Sequence, residues 1–206
     1  MYHEILSTEQ KDLFPLVKLF WREFYLVGGT AIALQIGHRK SIDFDLFKAT
    51  PFNSKKILNR ISEQNYRYTI TRKVEEQLNL MISNVQFTFF EYPYTIETPI
   101  VFDKSFRMPD LLTLAAMKAF ALGKRSKWKD YIDLYFLLRD YFSPETIIKK
   151  ADSIYGQEFS GKLFRSQLAY HEDINYSETV EFLPSFDVCN DEVKSFLTGQ
   201  ALNFII

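Results

Sequence analysis

Apolar and polar positions follow several periods along this chain, and the pattern changes near its midpoint. Ser7-Thr8-Glu9-Gln10 has the form of a capping box, and Leu13, Leu16, Val17 and Phe20 follow at helical spacing. This predicts a helix to about Phe20. Residues 24–27 are a short run of strand formers that stops at Gly28-Gly29. Residues 30–36 then read as a helix closed by Gly37. Residues 42–47 alternate strictly between apolar and other positions, a strand with Asp43 and Asp45 on one face. A helix is predicted over 54–64 and strands over 66–71, 78–82 and 85–90, with a tight turn at Ser83-Asn84; residues 100–102 form a further short strand.

From Asp110 the period becomes helical. Leu111, Leu114, Ala115, Lys118 and Leu122 lead to Gly123, and residues 128–138 make a second helix. Ser143-Pro144-Glu145 supplies a cap and a proline at the first helical position of a third. Ser160-Gly161 and Asn190-Asp191 start two more. The expected fold is α/β in the α+β sense: a mixed α/β part over 1–105 and a helical part over 106–206.

Two short constellations carry candidate chemistry. Paired glycines between a strand and a helix let the backbone approach a ligand, and the new helix presents N–H groups that favour an anion. Gly28, Gly29 and Thr30 therefore suit a phosphate, although a Gly-Gly pair alone is more often an ordinary turn. Two carboxylates at i and i+2 on a strand, Asp43 and Asp45, suit a divalent ion such as magnesium, although alone they are more often a solvent-facing edge. In order, they describe one site: a turn for a triphosphate and carboxylates for the bridging metal. Arg39, with its planar fork, is a candidate phosphate contact. His38 reads as structural.

Composition narrows the classes. The chain has 206 residues, 47% hydrophobic and 25% charged, which excludes a disordered tail, a fibre or a rod. Its apolar runs are too short for a membrane span, and no leader is expected from its first residues. The net charge of −1 excludes bulk polyanion binding, so any nucleic-acid contact has to be local. The single cysteine, Cys189, excludes an internal disulfide, fits the reducing cytoplasm, and reads as buried or inert. His3, His38, His171 and Cys189 are too scattered for structural zinc. Gly123-Lys124-Arg125-Ser126 is only the tail of a phosphate loop.

Leu26-Val27-Gly28-Gly29-Thr30-Ala31, followed by Gly37-His38-Arg39-Lys40-Ser41-Ile42-Asp43-Phe44-Asp45-Leu46-Phe47, resembles the AbiEii/AbiGii toxin family of nucleotidyltransferases, with the DNA polymerase β-like fold. Asp110-Leu111 through Lys118, then Arg125, Lys129-Asp130 and Asp133-Leu134, are similar to that family's later helical motifs. The resemblance runs over roughly residues 24–140. It implies a magnesium-dependent transfer of nucleotide from an NTP to RNA, notably the 3′ end of tRNA, by a cytoplasmic toxin held in check by an antitoxin protein. It implies that Gly28, Gly29 and Thr30 hold the nucleotide, that Asp43 and Asp45 bind metal, and that Lys118 steadies the triphosphate. Lys129 and Asp133 fall beside the same site, in a cleft between the two parts.

The residues qualify that picture. Lys118, alone in an apolar helix, either snorkels to solvent or reaches an anion in a cleft. Lys129, Asp130 and Asp133 can share one helical face, or simply form a solvated ion pair. Lys124, Arg125 and Lys127 extend the basic stretch, which suits phosphates or an ordinary loop. Many nucleotidyltransferases carry a third carboxylate on a later strand. Here the matching positions are Gln86 and Thr88, and Glu91 has the wrong parity unless a bulge intervenes. This leaves open weak catalysis, an acid from Asp133, a nucleotide- or partner-binding protein without transfer, or a protein or small-molecule acceptor.

Overall fold

The computed structural model describes residues 1–202, which form nine α-helices and seven strands in two compact units dividing after Asp110. In the first unit, α1 (Thr8–Asp12) opens on the capping box, with Ser7 Oγ accepting from the Gln10 N–H and Gln10 Oε1 from the Ser7 N–H. The expected single helix to Phe20 is instead two: α2 (Phe14–Lys18) starts anew after Leu13. Pro15 explains the break, since it has no N–H and its ring crowds the carbonyl four residues back.

β1 (Tyr25–Val27) leads into α3 (Gly28–Ile36), which ends at Gly37 in the left-handed region, φ 73°. β2 (Phe44–Lys48) starts two residues later than expected, so Asp45 lies in the ladder and Asp43 just before it. α4 (Ser54–Glu63) is capped by Asn53 Oδ1. β3 (Thr69–Lys73) is displaced toward the C-terminus from 66–71; Asn65, at φ 61°, prolongs the turn after α4. β4 (Gln77–Ile82) and β5 (Val85–Glu91) are joined by Ser83 and Asn84, both with positive φ, as a right-twisted hairpin favours. β6 (Ile100–Phe102) pairs with β7 (Phe106–Met108), a strand of three residues that gives no readable alternation.

The main sheet has the order β1-β2-β5-β4-β3, antiparallel except for the parallel pair β2–β5. Its two faces differ sharply. Phe44, Leu46, Leu78, Leu80, Phe87 and Phe89 are buried on one face, where Phe89 meets Phe20 and Phe24 edge-on. The register places Asp45, Thr88, Asn79, Gln77 and Gln86 on the other. One face supplies the apolar burial that holds the sheet; the other mixes those polar groups with Phe47, Phe90 and Met81 and is largely half-buried.

The second unit is helical: α5 (Leu111–Leu122), α6 (Trp128–Asp140), α7 (Pro144–Tyr155), α8 (Gly161–Ala169) and α9 (Asn190–Leu202). α5 is apolar almost all round and is buried to match. Ser143 and Ser160 cap α7 and α8 through their hydroxyls. Phe120 stacks on Tyr155 at 3.9 Å, and Tyr135 packs edge-on against Phe196. Cys189, expected to be buried or inert, is exposed just before α9, where no apolar partner covers it among the described residues. None of the described helices is long and apolar enough to cross a membrane.

Candidate active site

The turn between β1 and α3 demands glycine twice. Gly28 has φ +71°, and a Cβ there would overlap the Asp45 carboxylate oxygen Oδ2. A Cβ on Gly29 would overlap the Arg39 guanidinium and stand 3.3 Å from Ser41 Oγ. An acid from β2 and a base from the preceding loop therefore both lie directly on the glycine backbone. Val27 gives α3 no side-chain cap, so its first N–H groups keep the polarity that favours an anion.

Thr30 ties the rest together. Its hydroxyl is 2.9 Å from Ser41 Oγ and donates at 2.5 Å to the main-chain oxygen of Asp43. The first turn of α3 and the entry to β2 are thus held at one place. Asp43 and Asp45 are half-buried, whereas Arg39 is 2% exposed and donates from Nη1 to the Lys40 carbonyl at 2.9 Å. His38 is fully buried. Ser41 is the member that sequence reasoning left without a role; nothing in its spacing marks it.

Asp45 lies level with Val27 on one side and Thr88 on the other. Pairing along β5 runs without a bulge, so Glu91 stays level with Lys48, on the face opposite Asp45. Thr88, 8% exposed, shares the face of Asp45 and brings no carboxylate to it. Among the described residues no three His, Cys, Asp or Glu side chains converge as a protein-only metal cage.

The later candidates gather in the second unit. Lys118, 5% exposed, has Nζ 2.7 Å from Asp130 Oδ1 and 2.8 Å from Asp133 Oδ2. Arg125 reaches Asp130 through Nε at 2.8 Å. Burial alone raises the Asp130 carboxyl, but Lys118 and Arg125 outweigh it and hold the group below the ordinary aspartate value. Lys118 is thus internally paired. Lys129 does not share that face: it pairs with Glu178 at 3.2 Å, beside Lys127. Lys124 lies over the Phe120 ring at 3.9 Å. The basic stretch is engaged within its own unit. Within the first unit the structure thus brings together Gly28, Gly29, Thr30, Arg39, Asp43 and Asp45, and within the second it brings together Lys118 and Asp133.

Known proteins give the arrangement a family. An uncharacterized protein of Aquifex aeolicus, aq_aa25, is 35% identical over 218 residues, covering 97% of this chain and 98% of that one. Among solved structures, JHP933 from Helicobacter pylori superposes with a TM-score of 0.59 at 18% identity, covering 95% of this chain and 91% of that one. MenT4, the nucleotidyltransferase toxin Rv2826c from Mycobacterium tuberculosis H37Rv, gives 0.55 at 12% identity, covering 95% and 85%. These two likenesses are of fold. The family model described as nucleotidyl transferase AbiEii toxin, of a type IV toxin–antitoxin system, matches residues 19–187, a span that holds the glycine turn, both aspartates and the Lys118 cluster. By that match the chain belongs to the AbiEii family of nucleotidyltransferase toxins.

Proposed function

We propose that this toxin transfers a nucleotidyl group from an NTP to RNA, at the 3′ end of tRNA, with magnesium held by Asp43 and Asp45. One observation carries the reading: the Asp45 carboxylate rests on Gly28 at the start of α3, where Val27 offers no side-chain cap. A metal-bound phosphate chain there would meet its counter-charge and its N–H donors at one point. The donor set fits the ion, since carboxylates are hard oxygen ligands and phosphate oxygens supply the remainder. Magnesium bound there would neutralise the phosphates and acidify the acceptor hydroxyl.

The chain's own groups do the rest. The turn at 28–30 receives phosphate oxygens through backbone N–H, and Arg39 keeps positive charge against it. The acceptor oxygen forms a bond to the α-phosphorus. The bond from that phosphorus to the bridging oxygen breaks, and pyrophosphate leaves with the electron pair. Thr88 cannot take a proton at neutral pH, so the hydroxyl proton passes to water. The protein acts in the cytoplasm, where NTP and tRNA are found, and an antitoxin protein restrains it.

The test is incubation with labelled NTPs, magnesium and total tRNA. Wild type labels tRNA; Asp43→Ala does not, while its circular dichroism and melting temperature stay close to wild type. Labelling by the variant at the wild-type rate would falsify the assignment. Label on a protein or small molecule moves the acceptor and keeps the chemistry. NTP binding without transfer reduces the site to nucleotide binding.

A further inference from the structure

Asp45 has two flanks. On the β1 side lies the glycine turn, where the phosphates of the NTP belong. On the other side the register runs Asp45, Thr88, Asn79, Arg72 across β5, β4 and β3 to the edge of the sheet. Residues paired this way share a face, so one polar row joins the metal-binding position to an exposed arginine. At about 4.8 Å per strand, Arg72 stands about 14 Å from Asp45.

That row depends on an irregularity. Ile70 pairs with Leu80, but Arg72 pairs with Asn79, so Thr71 is an extra residue in β3. In regular pairing Thr71 would sit opposite Asn79 and Arg72 would fall on the other face. Bulges re-aim side chains in this way. Asn79 is itself oriented, with Oδ1 accepting from Gln77 Nε2 at 2.9 Å.

The edge has the composition of a single-strand binder. β3 is exposed along its whole length. Residues 64–74 carry Arg67, Arg72 and Lys73 with Tyr66 and Tyr68, and no acid. None of these three cations is in an ion pair among the described residues. Cations that track a backbone, with aromatic rings among them, are what unpaired nucleic acid requires.

We propose that the row Thr88–Asn79–Arg72 seats the acceptor, a single-stranded RNA end whose backbone phosphate meets Arg72 and whose terminal nucleotide lies over Thr88 and Asn79. This rests on the RNA-transfer reading above. It also gives Thr88 a use: its hydroxyl can hydrogen-bond the ribose of the acceptor.

Arg72→Gln tests it, with Lys11→Gln, an exposed site of equal charge in the same unit, as control. Two readouts are needed: steady-state transfer to tRNA, and anisotropy of a fluorescein-labelled single-stranded RNA oligonucleotide beside a duplex of equal length. Arg72→Gln should raise the KM for tRNA roughly tenfold and reduce the salt slope of single-strand binding by about one, leaving the KM for NTP unchanged. Arg72→Lys should recover part of the loss, and Lys11→Gln should match wild type. Single-strand binding that needs Arg72, in a protein that transfers nothing to RNA, keeps the seat and removes the transfer reading. Transfer to tRNA with unchanged KM and salt slope in Arg72→Gln overturns the seat and keeps transfer. Absence of RNA binding by wild type, or loss of a protein partner alone on Arg72→Gln, also overturns it.

Discussion

Replacing Lys118 with methionine should destabilise the helical unit severely. Methionine keeps most of the length of the side chain and removes its charge. What remains is Asp133, fully buried, and Asp130, 3% exposed, with Arg125, half in solvent, as a counter-ion to Asp130. Two contacts of 2.7 and 2.8 Å are lost at once. At an effective dielectric near 20, each represents about 6 kcal/mol of attraction before desolvation is subtracted. Breaking a buried pair by removing one partner costs about 3–5 kcal/mol, because the surviving charge is stranded. With a urea dependence near 2 kcal/mol per molar, the unfolding midpoint at pH 7 should fall by about 2 M. Combining Lys118→Met with Asp133→Asn removes one stranded charge, so the double variant should cost less than the sum of the two singles. A loss below about 1 kcal/mol for Lys118→Met, the value of an exposed pair, would refute the description of a dry, charge-balanced cluster. Transfer measured at a temperature where the variant is folded adds a second result: retained activity means that Lys118 supports the unit rather than the triphosphate.

The same cluster sets an acid limit. Asp130 has a folded pKa below its ordinary 3.8, so its contribution is full above that value and is lost as pH falls through the folded pKa; urea midpoints from pH 7 to 3 should show a shallower acid arm in Asp130→Asn than in wild type. Gly28→Ala places a Cβ on Asp45 at a positive φ, which costs about 1–2 kcal/mol in backbone strain and displaces the carboxylate; transfer should fall far more than the melting temperature. Thr88→Asp restores an acid beside Asp45. Transfer should rise at least about tenfold at neutral pH, and the melting temperature should depend more strongly on magnesium than in wild type; an unchanged rate means that proton removal is not limiting.

Local rules made much of the fold readable. The Ser7/Gln10 box, the Ser143-Pro144 start and the Ser83-Asn84 turn are each decided by a few adjacent residues, and each stands where the sequence places it. Strand β7 was hidden because three residues cannot display a period. The Thr71 bulge was hidden because it is a property of two strands at once. The glycine turn and Asp45 were legible as a pair because motif order implied their meeting. Alternation along β5 is enough to put Thr88 on the face of Asp45, whatever the pairing. The Lys118 cluster was only half legible: spacing aligned Asp130 and Asp133, but which one meets a lysine on a different helix is decided by packing. Lys129 went elsewhere because its partner, Glu178, lies far along the chain where no local pattern links them.

The parallel pair at the centre of the sheet also fixes a timetable. β2 acquires β5 as a neighbour only after α4, β3 and β4 have been made, whereas β3, β4 and β5 zip together through short turns. A nascent chain halted before Val85 would carry both aspartates and the glycine bend yet leave β2 with one bare edge. Synthesis must therefore pass Val85, well beyond Asp43 and Asp45, before β2 is flanked on both sides.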